Sequence, residues 1–289
     1  MKLAASTEAY AARFGEEEAV RILARAGFDS IDFTNYSNLG ANLRFDGDDY
    51  LDIAKQIRAV ADEMGVTVDQ SHAPFPAAFA SKEESLARFK HMVKSFEISR
   101  VLGVKQTVVH PYISPTNKYG VEMDKALEDN YKLYRALEPY AVENGLKIAI
   151  ENMFDFDPEA GKICPTTCST PQELVSLKDA LGENFTVLID VGHFHLTGTP
   201  PEEGVRIVGD RLGGLHVHDN DGVGDLHDLP FLYSIDWDAF GRALKDVGYK
   251  GNFTFEADNF PRHFPKELLP DAARRLHQVG RYFINTFEL

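Results

Sequence analysis

The chain has 289 residues, with 45 Asp and Glu against 30 Lys and Arg and a formal net charge of −15 at pH 7. Its 44% hydrophobic and 26% charged residues are ordinary for a globular domain, which excludes a disordered chain, a collagen-like repeat and a coiled coil. The acidic balance argues against nucleic acid or an anionic membrane as partner, since either needs a basic patch.

In chain order, KLAAS (2–6) reads as a first strand, and EEEAVRILARAGF follows with helical spacing. SIDFT (30–34) is a second strand, before the helical period of DDYLDIAKQIRAVADEMG. VTVDQSHAP (66–74) is a strand with a polar tip, and 82–103 is a long helix stopped at Gly103. QTVVHPY (106–112) is the fourth strand, and 123–145 is a helix ended by Gly145. LKIAIEN (146–152) is the fifth strand, and 153–167 reads as the longest loop. TPQELVSLKDALG opens with Thr170 and carries Glu173 three residues on, the spacing of a capping box. FTVLIDVGH (185–193), LGGLHVHD (212–219) and NFTFEAD (252–258) are the last strands, with a helix capped by Asp236 before the final one.

Eight strand runs, mostly separated by helices and apolar until their last residues, are the arithmetic of a (β/α)8 TIM barrel in a single domain. An open doubly wound sheet ranks below it, because KLAASTEAY offers no Gly-rich phosphate turn. The start of the chain reads as neither signal peptide nor anchor, and no window approaches 18 uncharged apolar residues. Only Cys164 and Cys168 occur, which suits a reducing cytoplasm.

Position makes the polar residues informative. His72, His110, Glu151, Asp190 (with His193), His216 (with His218) and Glu256 close six successive strand runs. A barrel gathers all those ends on one rim, where active sites lie. Asp225 and His227 add a D-x-H after the seventh strand. Each histidine alone is more often a satisfied polar residue. Glu151 and Glu256 follow directly on apolar runs with no Lys or Arg at the matching tips, where an unpaired carboxylate is costly. Together the donors point to a divalent cation: Mn²⁺ or Zn²⁺, with Co²⁺ and Mg²⁺ also suited. Spacing leaves open which of His193 and His195, and which of His216 and His218, is the ligand. Asp219 and Asp221 read as turn residues, the cysteines as structural, His91, His263 and His277 as surface or packing residues, and Trp237 as packing at a helix start. Phe75, Tyr112, Met153 and Phe154 could wall a pocket or pack the core.

SHAPF, VVHP, IEN, LIDVGH, LHVHDND, DLH and TFEAD, in this order, resemble the xylose isomerase-like TIM barrels. That group holds sugar and sugar-phosphate isomerases and epimerases, inosose dehydratases and endonuclease IV repair enzymes. The resemblance runs from about residue 2 to 285, one barrel domain over 1–289. It implies a metal held by Glu151, Asp190, His216 and Glu256, with Glu151 and Glu256 as the catalytic acid/base pair. His193 corresponds to a histidine that contacts substrate oxygens, and His72, His110, Asp225 and His227 would join it in substrate binding. Ketose 3-epimerases of this group carry an Arg shortly after the seventh-strand His, and VHDNDGVGD has none. The zinc ligands of endonuclease IV would fall on His72, His110, Glu151, Asp190, His193, His216, Asp225, His227 and Glu256. The expectation is a metal-dependent sugar or polyol isomerase/epimerase working through proton abstraction and a metal-stabilised enediolate. The alternatives are an endonuclease IV-like zinc phosphodiesterase, a dehydratase or lyase on a keto-sugar or inosose, and a barrel that binds without turnover. The partner expected is a small sugar or polyol, with a homo-oligomer compatible and nucleic acid not expected.

Overall fold

Each of the eight apolar runs becomes a strand, and the strands pair in chain order. The computed structural model describes residues 1–35, 43–77, 81–113 and 123–289. Its strands are β1 (Leu3–Ser6), β2 (Ser30–Thr34), β3 (Thr67–His72), β4 (Gln106–Val109), β5 (Lys147–Glu151), β6 (Phe154–Asp157), β7 (Lys162–Pro165), β8 (Phe185–Asp190), β9 (Leu212–His216) and β10 (Phe253–Phe255). All but β6 and β7 form one parallel sheet in the order β10-β1-β2-β3-β4-β5-β8-β9. Its two edges meet at a single bridge between Val217 and Phe255, where Val217 N–H donates to Thr254 O at 2.9 Å and Glu256 N–H to Val217 O at 3.2 Å. The result is a TIM barrel.

The helices are α1 (Glu8–Phe14), α2 (Glu16–Ala26), α3 (Tyr50–Met64), α4 (Lys82–Leu102), α5 (Met123–Glu143), α6 (Pro171–Leu181), α7 (Val191–Leu196), α8 (Pro201–Val208), α9 (Trp237–Asp246), α10 (Asn259–Arg262) and α11 (Leu269–Phe287). None of the described helices is long and apolar enough to cross a membrane. Strand residues that face outward meet these helices in one continuous core. Phe253 of β10, for example, packs on Phe283 of α11 with ring centroids 4.8 Å apart. Inside the cylinder a separate cluster of Val108, Ala149 and Leu188 is fully buried. Burial on both faces explains why the strands read as unbroken apolar runs.

The helix signals behave as their chemistry requires. Gly103 closes α4 at φ 87°, a left-handed conformation that favours glycine. Thr170 Oγ1 accepts from Glu173 N–H, and Glu173 Oε2 accepts from Thr170 N–H, each at 3.3 Å. Thr170→Ala removes one half of that box at α6 and costs about 1 kcal/mol, read as a lowered midpoint in thermal unfolding.

Two local readings are corrected. The stretch 153–167 contains the antiparallel hairpin β6–β7 rather than a plain loop. Asp157 Oδ1 accepts the Glu159 and Ala160 N–H groups at 2.9 and 3.1 Å, which turns the chain back. The run 185–193 is strand only to Asp190, whose Oδ1 accepts the His193 N–H at 2.6 Å and starts α7. Helices α1, α8, α10 and α11 carry no counterpart among the predicted elements.

Candidate metal centre

His72, Glu151, Asp190 and His216 are the last residues of β3, β5, β8 and β9. His110 and Glu256 stand one residue past β4 and β10. The barrel therefore brings to one rim the polar residues that close its strands. One donor atom each from Glu151, Asp190, His216 and Glu256 lies within 4.8 Å of the other three, and all four side chains are buried. His216 Nδ1 is 2.9 Å from Glu151 Oε1 and 3.2 Å from Glu256 Oε2. Among the described residues, the ion-pair partners of these carboxylates are histidines, with no lysine or arginine.

The surrounding imidazoles are held in a common orientation. His72, His193 and His227 each place Nδ1 2.7–2.9 Å from a backbone carbonyl, of Ala73, Asn152 and Glu256 respectively. That contact places a proton on Nδ1 and turns Nε2 toward the site. His72 Nε2 lies 3.0 Å from His110 Nε2, and His110 Nε2 lies 3.0 Å from Glu151 Oε2. His227 Nε2 is 2.9 Å from Asp225 Oδ2. His193, His218, Asp225 and His227 form a further donor set, and His72, His110 and Glu151 another.

Spacing left two histidine pairs undecided. His193 faces the cluster, whereas His195 turns away, with Nδ1 2.7 Å from Asn220 Oδ1. His216 and His218 both face it, since His218 Nε2 lies 3.0 Å from both oxygens of Asp190. His218 fits because residue 192 is glycine: a Cβ there would stand 2.0 Å from His218 Cε1. The imidazole is fixed by Asp190 on one side and stacks on His227, centroids 3.9 Å apart. It has no direction in which to yield. Gly192→Ala costs about 1–3 kcal/mol of stability, measurable as a fall in the thermal midpoint.

The cluster sets its own charges. Burial works to raise the Glu151 carboxyl, but His216 and His110 outweigh it and hold Glu151 well below the usual range. Burial also works to raise Asp190, and His193 and His218 pull it down. Glu256 goes the other way: burial, helped by Glu151 and Asp190, pushes it well above the usual carboxyl range against the pull of His216 and His227. Burial opposes the charge on His216, yet Glu256 and Glu151 raise it well above an ordinary imidazole. Burial lowers His110 to about 4 despite the nearby Glu151.

The donors suit a divalent cation. Three carboxylates and one imidazole converge in a buried space, and Glu151 Oε2 and Asp225 Oδ1 are buried with no hydrogen bond along an acceptable direction. His110 Nε2 lies 3.0 Å and His72 Nε2 3.5 Å from Glu151 Oε2. Oxygen donors with imidazole fit Mn²⁺, Zn²⁺, Co²⁺ or Mg²⁺.

Above the cluster lies a cavity of about 490 Å³. Glu256, His72, His110, His193, Asp225 and His227 open into it, and Phe75, Tyr112, Met153 and Phe154 all line it. The opposite wall carries Glu8, Asp258 and Arg262, none of which the sequence reading picked out. Arg262 is paired with Glu8 and donates to Asn259 Oδ1 at 2.9 Å, so among the described lining residues no unpaired Lys or Arg is offered to an anionic group. Asn152 was also unread: its Oδ1 accepts the Asp190 N–H at 2.7 Å and its Nδ2 donates to Asp190 O at 2.9 Å, tying β5 to β8. Cys164 and Cys168 are free thiols, and Trp237 Nε1 donates to Asp219 Oδ2 at 3.1 Å beside the start of α9.

Comparison with known proteins adds four findings. A family model described as xylose isomerase-like TIM barrel matches residues 20–279. The uncharacterized protein MJ1311 of Methanocaldococcus jannaschii is 28% identical over 195 residues, which are 65% of this chain and 64% of that protein, just under two thirds of its length. Among solved structures, a D-tagatose 3-epimerase-like protein superposes with a TM-score of 0.78 at 20% identity, covering 100% of this chain and 98% of that one. A 3-keto-D-glucoside 4-epimerase from E. coli gives 0.74 at 17% identity, over 96% and 99%. At these identities the two structures share the fold.

Proposed function

We propose, for a chain that belongs to the xylose isomerase-like TIM barrel family, that it is a metal-dependent isomerase or epimerase of a neutral sugar or polyol. The observation that carries this reading is the buried convergence of Glu151, Asp190, His216 and Glu256 beside a cavity of sugar size. Epimerases of related fold, the D-tagatose-type and keto-glucoside proteins above, support the reaction class. The Glu8–Arg262 pair and the acidic surroundings favour a neutral substrate over a phosphorylated one.

Glu151, Asp190, His216 and Glu256 would hold the ion. When bound, it supplies Lewis-acid polarisation of a carbonyl and offsets negative charge beside it. Glu151 or Glu256 takes the proton from the carbon next to that carbonyl. Return of a proton by the other glutamate to the opposite face inverts the carbon. Return by the same glutamate to the former carbonyl carbon, with the hydroxyl proton passing from the neighbouring oxygen to the old carbonyl oxygen, moves the carbonyl instead. Neither route needs a redox partner. His72, His110, His193 and His227, with Nε2 or the ring edge toward the cavity, orient hydroxyls, and Asp225 fixes His227. Phe75, Tyr112, Met153 and Phe154 limit water on the apolar side. The test is incubation with Mn²⁺, Co²⁺, Mg²⁺ or Zn²⁺ and a panel of ketoses in D₂O. Deuterium on the carbon beside the carbonyl is the expected result; no exchange with any sugar or polyol overturns the reading.

The additional donor sets favour a second reading, a multi-ion phosphodiesterase of the endonuclease IV kind. It requires about three ions per chain and salt-sensitive retention of DNA. The net charge of −15 and the paired Arg262 weigh against it.

A further inference from the structure

His216 has a second face. Its Nδ1 turns toward Glu151 and Glu256, while its Nε2 lies 3.0 Å from Asp32 Oδ2, in the middle of β2. Asp32 is 1% exposed and, among the described residues, touches no lysine or arginine. A carboxylate in the interior of a barrel is costly unless something compensates its charge. The same oxygen accepts from Gln70 Nε2 at 2.8 Å. Gln70 is held in turn by Gln106 Nε2 at 2.9 Å, and Gln106 is anchored on Gly213 O at 3.0 Å. This chain of amides occupies the barrel axis because residue 214 has no side chain: a Cβ there would meet Gln106 Nε2 at 2.5 Å and Gln70 Oε1 at 2.8 Å.

We infer that Asp32 is a positioning residue for the ion. By accepting the Nε2 proton it fixes the ring plane of His216, directs the Nδ1 lone pair at the cluster and makes that nitrogen a stronger donor. Carboxylates that act on a ligating histidine in this way commonly change ion affinity about 10–100-fold. Gln70 and Gln106 keep the carboxylate from rotating away. The remaining oxygen, Asp32 Oδ1, is buried with no hydrogen bond, so packing rather than solvent is what keeps the group in place.

This inference rests on the metal centre proposed above, and the experiment separates the two. Mn²⁺ affinity is measured by competition with a chelator for the wild type, Asp32→Asn and Asp32→Ala, with circular dichroism of each protein. The visible spectrum of the Co²⁺ form is recorded in parallel, because it reports the ligand field. Asp32→Ala is expected to bind Mn²⁺ about 100-fold more weakly and to shift the Co²⁺ bands. Asp32→Asn keeps an acceptor for the Nε2 proton but loses the charge, and is expected to recover part of the affinity, leaving a deficit of about 10-fold. If Asp32→Ala does not fold, the isosteric Asp32→Asn decides the matter. A wild type that takes up no ion removes the metal centre itself. A wild type that binds the ion, beside folded Asp32 variants of equal affinity and unchanged Co²⁺ spectrum, overturns the role of Asp32 alone.

Discussion

Glu151→Gln and Glu256→Gln are each expected to lower the rate of the proposed epimerisation or isomerisation by about 10³-fold, within the range a positioned proton carrier supplies. The amide keeps the shape of the side chain and loses both the anion and the basic oxygen. Each variant also removes one ligand of the proposed centre, so metal content is measured alongside. The two losses differ in a useful way if the glutamates address opposite faces of one carbon. Net inversion needs both, whereas exchange of solvent deuterium into one epimer needs only the glutamate on that face. Residual wash-in confined to a single epimer, read by NMR, identifies which carboxylate serves which face. Variants that keep their ion, their thermal midpoint and full inversion refute the assignment.

If the proposed centre holds its ion, removal by a chelator is expected to abolish turnover and lower thermal stability, with Mn²⁺ or Co²⁺ restoring both. An ion at 100 times its dissociation constant stabilises the native state by about 2.7 kcal/mol. For a chain of this size that is on the order of 4–5 °C in the unfolding midpoint. Elemental analysis after reconstitution is expected to return one ion per chain; about three would favour the phosphodiesterase reading. The affinity also depends on pH with a definite sign. His216 carries a raised affinity for its proton beside Glu256 and Glu151, although burial opposes the charge. The incoming ion must displace that proton, so binding strengthens as pH rises. Isothermal titration at several pH values checks the slope. An affinity that does not change with pH, or a chelated protein as stable as the untreated one, is the contrary result.

Much of this architecture was legible because the barrel imposes one rule on eight segments. Strands buried on both faces must be apolar until they end, so a His, Asp or Glu at the end of an apolar run is a residue delivered to the rim. That rule located His72, Glu151, Asp190, His216 and Glu256 without any contact information. It failed for Asp32 for a physical reason. Asp32 lies inside β2, where its partners, His216 and Gln70, come from strands remote in sequence. Only the oddity of an acid within SIDFT could have flagged it. Arg262 and Glu8 were missed for the same reason, since their pairing joins the two ends of the chain. The boundary of β8 was misplaced because VGH continues the apolar run, while the Asp190 cap that converts it to α7 is a side-chain contact. The hairpin β6–β7 was hidden by its acidic strand FDFD, which belongs to no core.

The seam of the barrel gives the rim chemistry a mechanical side. The first and last strands of the sheet are joined elsewhere by full ladders, but β9 and β10 meet through one bridge at Val217 and Phe255. His216 precedes that bridge on one lip and Glu256 follows it on the other. A cation held by both, as proposed, would act as a rivet across this joint of the hoop, so that the groups assigned to the substrate would also keep the cylinder shut.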